Sequence, residues 1–211
     1  MLGNVVGWVV LGTILAAPAA ALAQEAPLSA GAYIRDVGTL KAGDRVPKFK
    51  ARDIYGVEVG LEDLMRDGRK PVLAFWSMYC QACVEKFNSM VAVQAKFEPR
   101  GLKVISINTD GEYQKGEQTI RDFIADYERK NKIKINFPVL YDERNWVPQT
   151  MHVEFLPTIV SVGPDGGVFG FYQGFDEAGE AEIRAGIETL VEQMLAQYPG
   201  GAAAPGSVEK K

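Results

Sequence analysis

Apolar and polar positions fall into blocks that predict an alternation of strands and helices. Residues 70–76, KPVLAFW, are a continuous apolar run with β-branched and aromatic members, the pattern of a buried strand. The next block, roughly 80–98, places Phe87, Met90, Val91 and Phe97 along a helix face and stops at Pro99-Arg100-Gly101. LKVISIN at 102–108 predicts a second core strand. Beyond a polar linker, TDGEYQKGEQ, residues Ile120, Phe123, Ile124 and Tyr127 sit at i, i+3, i+4 and i+7, the stripe of an amphipathic helix. A short strand is predicted at 137–140 and a short helix at 146–151. TIVSV and GVFGFYQG flank Pro-Asp-Gly-Gly, which signals a hairpin. Residues 178–197 carry Ile183, Ile187, Leu190, Val191 and Met194 and predict a last helix.

Upstream, Val46, Phe49, Val57, Val59 and Leu61 give broken alternation around Tyr55-Gly56, read as a short hairpin, and LEDLM follows as a helical turn. The resulting order is a layered α/β plan. Strand–helix–strand steps need crossover connections and hence parallel pairing, whereas the late hairpin adds antiparallel strands. The central sheet should therefore be mixed and flanked by helices. The domain is expected over 43–198, after a flexible lead at 24–42. The tail at 199–211 is low in complexity and expected to be disordered.

The first residues change the picture of where this domain works. VVGWVVLGTILAAPAAALAQ is free of charge, and the first basic residue is Arg35. Residues 5–17 fit the apolar region of a secretory signal, and Ala21-Leu22-Ala23 fits a cleavage site, so cutting after Ala23 and a periplasmic or other extracytoplasmic location are expected. Retention as an anchor through residues 5–22 is the alternative, because no basic side chain precedes the apolar run. All 23 basic and 27 acidic residues follow this segment, leaving a net charge of −4. That balance offers no footprint for nucleic acid.

The chemistry concentrates in AFWSMYCQAC, which holds both cysteines of the chain, Cys80 and Cys83. Zinc needs four ligands, and His152 is the sole histidine. A haem attachment needs histidine directly after the second cysteine, where Val84 stands. A structural disulfide remains open, although so short a loop removes little entropy from the unfolded chain. The redox reading has a physical basis. The pair falls where a buried strand turns into a helix, so Cys80 meets unpaired backbone N–H groups that favour a thiolate. Cys83 lies almost one turn on and can resolve a mixed disulfide formed at Cys80.

Four stretches then resemble the thioredoxin superfamily, and most of all its extracytoplasmic TlpA/ResA-like branch. Three of them, GDRVPKFKARDIYGVEVGLEDL, KPVLAFWSMYCQAC and NFPVLYDERNWVPQTMHVEFLPTIVSVGPDGGV, span roughly 43–195, and the signal-like start ahead of them also fits. The resemblance implies a thioredoxin-like fold with an N-terminal β-hairpin extension, and an exported thiol–disulfide oxidoreductase without an organic cofactor or metal. It implies client proteins with disulfides, among them apocytochrome c or metalloproteins under assembly, and an upstream dithiol donor such as a membrane thiol transporter. By position, Leu156-Pro157-Thr158 corresponds to the family's cis-proline loop, which presents backbone to a client; from the residues alone, a proline opening a strand fits equally well. Trp76 corresponds to a tryptophan beside the active site. Tyr79 replaces a tryptophan common before the first cysteine and keeps an aromatic docking surface. Gln81 and Ala82, between the cysteines, supply neither the proline nor the histidine seen there in various relatives and leave the direction of electron flow open.

The group that deprotonates Cys83 departs further from the pattern. Thioredoxins carry an acid six residues before the first cysteine, where Ala74 stands. The extracytoplasmic relatives carry glutamate three residues after the second, where Lys86 stands, and Glu85 lies one residue earlier, about 100° around the helix. Glu85 is a candidate acid–base group or a solvated residue. Lys86 favours a thiolate by charge or is surface. His152 is expected to be structural, and the basic run at 129–134 a solvated loop. Two other functions stay open: a peroxiredoxin-like peroxidase, whose T-x-x-C motif has only Ser77-Met78-Tyr79-Cys80 as counterpart, and a non-enzymatic client-binding module with a structural disulfide.

Overall fold

A computed structural model describes residues 41–111, 116–173 and 179–199. The expected export segment, most of the expected lead and nearly all of the expected tail lie outside the described residues. Among the described residues seven strands form one sheet. Its centre is β3 (Lys70–Trp76), parallel to β4 (Leu102–Asn108), which is parallel to β5 (Val139–Tyr141). On the other side β6 (Thr158–Val162) runs antiparallel to β3, and β7 (Val168–Gln173) antiparallel to β6. With β1 (Lys50–Asp53) and β2 (Glu58–Gly60) beyond β5, the order is β2-β1-β5-β4-β3-β6-β7. The sheet is mixed, as the element order predicts.

Every position of β3 is buried, and its alternating side chains feed two cores. Val72, Ala74 and Trp76 face α3 (Phe87–Phe97), α4 (Glu117–Asn131) and α6 (Glu180–Gln197); Leu73 and Phe75 face α1 (Leu61–Leu64) and α5 (Trp146–Thr150). The helices on the first face bury the predicted stripes: Phe87, Met90, Val93 and Phe97 on α3, Ile120, Ile124 and Tyr127 on α4, and Ile183, Ile187, Leu190, Val191 and Met194 on α6. The β6–β7 turn is closed by Gly163 N–H to Gly167 O at 2.8 Å, with Gly166 at φ +81°, a value glycine adopts without strain.

The expected N-terminal hairpin is present as β1 and β2, and one difference from the expected helices has a physical cause. The hairpin extends the main sheet through antiparallel pairing of Arg52 with Tyr141 and Asp53 with Leu140. Arg121 on α4 donates to Ile54 O and ties the hairpin turn down. The helix expected over 80–98 is two: α2 (Gln81–Glu85) and α3 meet at Lys86, whose φ −88° and ψ −6° interrupt the α-helical run.

Candidate active site

The parallel strands end side by side, with Trp76 opposite Asn108, and the chain turns outward from both. This is the carboxyl edge of an open α/β sheet, where such folds place their ligands. From β3 the chain runs through Ser77, Met78 and Tyr79 to Cys80, the N-cap of α2. Cys80 and Cys83 are joined by a disulfide with their Cα atoms 5.2 Å apart. The Cys83 N–H donates to Cys80 Sγ at 3.1 Å, so the first sulfur already carries one of the hydrogen bonds that a thiolate needs.

The two sulfurs belong to different environments. Cys80 is half-buried and lines an open groove bounded by α2, α4, the start of α6 and Leu156. Cys83 is 4% exposed and lines a small inner cavity of about 20 Å³ against the sheet. Leu156-Pro157 is a cis peptide. The loop faces both cysteines, Leu156 across the groove and Pro157 across the cavity. Thr158 is buried at the start of β6; its hydroxyl donates to Phe155 O at 2.6 Å and accepts from Gln173 Nε2 at 3.3 Å.

The supporting residues divide in the same way. Trp76 is buried with its ring edge-on to Phe87 at 4.7 Å, and it lines the inner cavity. Tyr79 is 78% exposed beside Cys80 and presents an uncovered aromatic face. Gln81 is exposed, Ala82 half-buried, and both line the groove. Glu85 is exposed, accepts a hydrogen bond from Gln81 Nε2 at 2.9 Å and lines only the groove. Lys86 is buried at 5% exposure and lines the inner cavity with Cys83. Tyr127 closes part of the groove; burial raises its phenol above the usual range, and its hydroxyl donates to Asn88 Oδ1 at 3.2 Å. His152 is exposed at the end of α5 and lines neither space. The basic run at 129–134 is loop only from Lys132 on, because the α4 stripe carries the helix to Asn131; it is solvated, with Arg129 paired to Asp126 and Lys134 to Glu128.

One supporting group was not apparent in the sequence. Asp110, just beyond β4, is 6% exposed and accepts from Ser77 Oγ, from Met78 N–H at 2.9 Å and from Asn108 Nδ2 at 2.6 Å. Thr109 N–H adds a bond to Trp76 O at 2.8 Å. The turn that delivers Cys80 is thus latched to the neighbouring strand by a buried carboxylate. The signal was present as an Asp two residues after a predicted strand parallel to β3, but it read as the start of a polar linker.

A model of the AhpC/TSA family matches residues 42–169. Among individual proteins, the thiol-disulfide oxidoreductase ResA of Bacillus subtilis (strain 168) is 28% identical over 160 residues, covering 76% of this chain and 75% of ResA. A Chlorobium tepidum crystal structure, provisionally called thiol:disulfide interchange protein DsbE, superposes with a TM-score of 0.61 at 26% identity, covering 74% of this chain and 99% of that one. The solution structure of a thiol:disulfide interchange protein from a Bacteroides species superposes with a TM-score of 0.57 at 19% identity, covering 80% of this chain and 96% of that one; it shares the fold.

Proposed function

The chain belongs to the AhpC/TSA family, in the ResA/DsbE-like branch of the thioredoxin superfamily, and from that premise we propose that it is a thiol–disulfide oxidoreductase acting on client proteins. The observation that carries this reading is the Cys80–Cys83 disulfide at the end of β3, with Cys80 on the open groove and Cys83 inside. In the reduced protein, the Cys80 thiolate attacks one sulfur of a client disulfide. A Cys80–client disulfide forms, and the other client sulfur leaves as a thiolate. Cys83, as thiolate, then attacks Cys80 Sγ. The Cys80–Cys83 bond forms, the second client sulfur leaves with its electron pair, and two electrons have passed to the client. Leu156, which lines the groove with Cys80, and the exposed Tyr79 next to Cys80 in the chain are the surfaces against which an extended client segment docks.

The family match alone is compatible with a peroxidase, but the site argues for disulfide exchange. A partner sulfur three residues away is already bonded to Cys80, and the Ser77 hydroxyl donates to Asp110. In this reading residues 1–23 export the protein, with cleavage after Ala23, and a membrane dithiol donor returns electrons to the oxidised pair. Among the described residues no helix is long and apolar enough to cross a membrane. Clients in cytochrome c or metalloprotein assembly fit the same reading. The test is turnover of an insulin-type disulfide substrate, which each of Cys80→Ser and Cys83→Ser should abolish, beside a peroxide-consumption assay that should show no rapid turnover. Wild-type turnover in either variant, or fast peroxide consumption, overturns it.

A further inference from the structure

The groove that holds Cys80 reaches well beyond the reactive sulfur. At about 1130 Å³ it exceeds the roughly 300–1,000 Å³ of pockets that enclose a small molecule, and it is open to solvent. A stretch of polypeptide fits such a space. One wall is α2. On α4, Phe123, Asp126, Tyr127 and Lys130 fall at i, i+3, i+4 and i+7 and form a second. The start of α6 adds Glu180 and Ile183.

Apolar and charged side chains share this lining. Val84, Phe123, Leu156 and Ile183 offer apolar contact. The charges are unevenly set. Glu85 on α2 and Glu180 on α6 are exposed, and among the described residues neither forms an ion pair. Glu85 accepts a hydrogen bond from the neutral amide of Gln81. Both carboxylates act on one spot: burial does most to raise the Tyr127 phenol, and the charges of Glu180 and Glu85 add to it. The other charged groups of the lining are placed differently. Asp126 is paired with Arg129, Lys130 lies almost one turn beyond Tyr127 on α4, and Lys86 is buried.

We infer that this groove selects client segments that carry a basic side chain near the reacting cysteine, and that Glu180 and Glu85 set the preference. The cation of an arginine or lysine sits near Tyr127, within reach of both carboxylates. Apolar residues of the same segment contact Phe123 and Leu156, and the client cysteine meets Cys80. An acidic segment meets like charge instead, and that rejection sharpens the choice. Each exposed ion pair is modest, roughly 1.5- to fivefold in affinity, so two carboxylates produce a preference among clients and not an absolute filter. The inference rests on the oxidoreductase reading for its purpose and adds the class of client.

The experiment gives the reduced full chain carrying Cys83→Ser two peptides with the same disulfide and the same apolar residues, one flanked by arginines and one by glutamates. It follows the rate of mixed-disulfide formation, each rate divided by that of the same peptide with dithiothreitol to remove differences in intrinsic reactivity. The arginine peptide should react about fivefold faster or more at low ionic strength, and salt at about 0.5 M should bring the ratio close to one. Glu85→Gln and Glu180→Gln together should level the two rates, while Lys130→Gln should widen the gap. The readout is a ratio within each variant, so a general loss of reactivity cancels. A wild-type ratio near one, a preference for the glutamate peptide, or a ratio that survives the double substitution overturns the inference. If neither peptide forms an adduct, the oxidoreductase reading fails. The groove is then judged by equilibrium binding of the oxidised protein to the same peptides with serine in place of cysteine, where equal affinities overturn the inference and the same preference upholds it.

Discussion

Removing the Asp110 carboxylate should separate the two things it does, satisfying buried donors and holding the turn before Cys80. Its oxygens accept from the Ser77 hydroxyl, from Met78 N–H and from the side chain of Asn108, which is fully buried. In Asp110→Ala, the Met78 and Asn108 donors lose their acceptor, at about 1–3 kcal/mol for each buried donor left unsatisfied. The Ser77 hydroxyl can rotate and loses less. The expected destabilisation is roughly 3–5 kcal/mol. Asp110→Asn keeps one oxygen for Met78 and Asn108 and turns its amide toward Ser77 Oγ, so only the charge-assisted part is lost, about 1–2 kcal/mol. Urea denaturation of the oxidised protein measures both, with the slope of the transition unchanged if the native and denatured states keep their compactness. The loosened turn should also slow the first attack in Asp110→Ala, measured as the rate of mixed-disulfide formation. If alanine and asparagine cost the same, the latch described here is wrong.

The other predictions concern the docking surface and a buried charge. Tyr79→Ala removes a side chain that is 78% exposed, so stability should change by no more than about 0.5 kcal/mol, while kcat/KM falls for a folded client and stays level for a small-molecule disulfide. Equal loss with both substrates would show that Tyr79 supports the chemistry and not the docking. Lys70, at the start of β3, is 1% exposed, and burial holds its ammonium below the usual 10.5. Between the lowered value and 10.5 the unfolded chain binds more protons than the folded one, so stability gains with rising pH across that window. Lys70→Met lacks the gain. Denaturation at a series of alkaline pH values should therefore shift the comparison in favour of the wild type as pH rises; a constant difference would refute the burial argument.

What was legible from the sequence follows from how local each feature is. The bounds of β3 and β4 coincide with the predicted apolar-rich segments KPVLAFW and LKVISIN because both faces of these central strands are buried. The stripes on α4 and α6 were readable because each packs one face on the sheet. The cysteine pair was readable because its spacing is itself the chemistry. Attachment of the N-terminal hairpin to β5 depends on pairing Arg52 with Tyr141, a contact between distant residues that no local pattern announces. Lys86 illustrates the limit within a helix. A lysine beside a glutamate reads as surface, yet the helix break and the packing of α3 turn Lys86 inward and leave Glu85 in solvent. Asp110 was hidden for a related reason: its role comes from the parallel pairing that sets the ends of β3 and β4 together.

The central claim is that Cys80 is the sulfur that meets the client and Cys83 the one that releases it. Its most direct test is to mix reduced Cys83→Ser protein with a disulfide-bonded peptide and locate the adduct by mass spectrometry. The account predicts a stable mixed disulfide at Cys80, with little or none formed at Cys83 in the reciprocal Cys80→Ser protein. Equal trapping through both cysteines, or trapping through Cys83 alone, would contradict it.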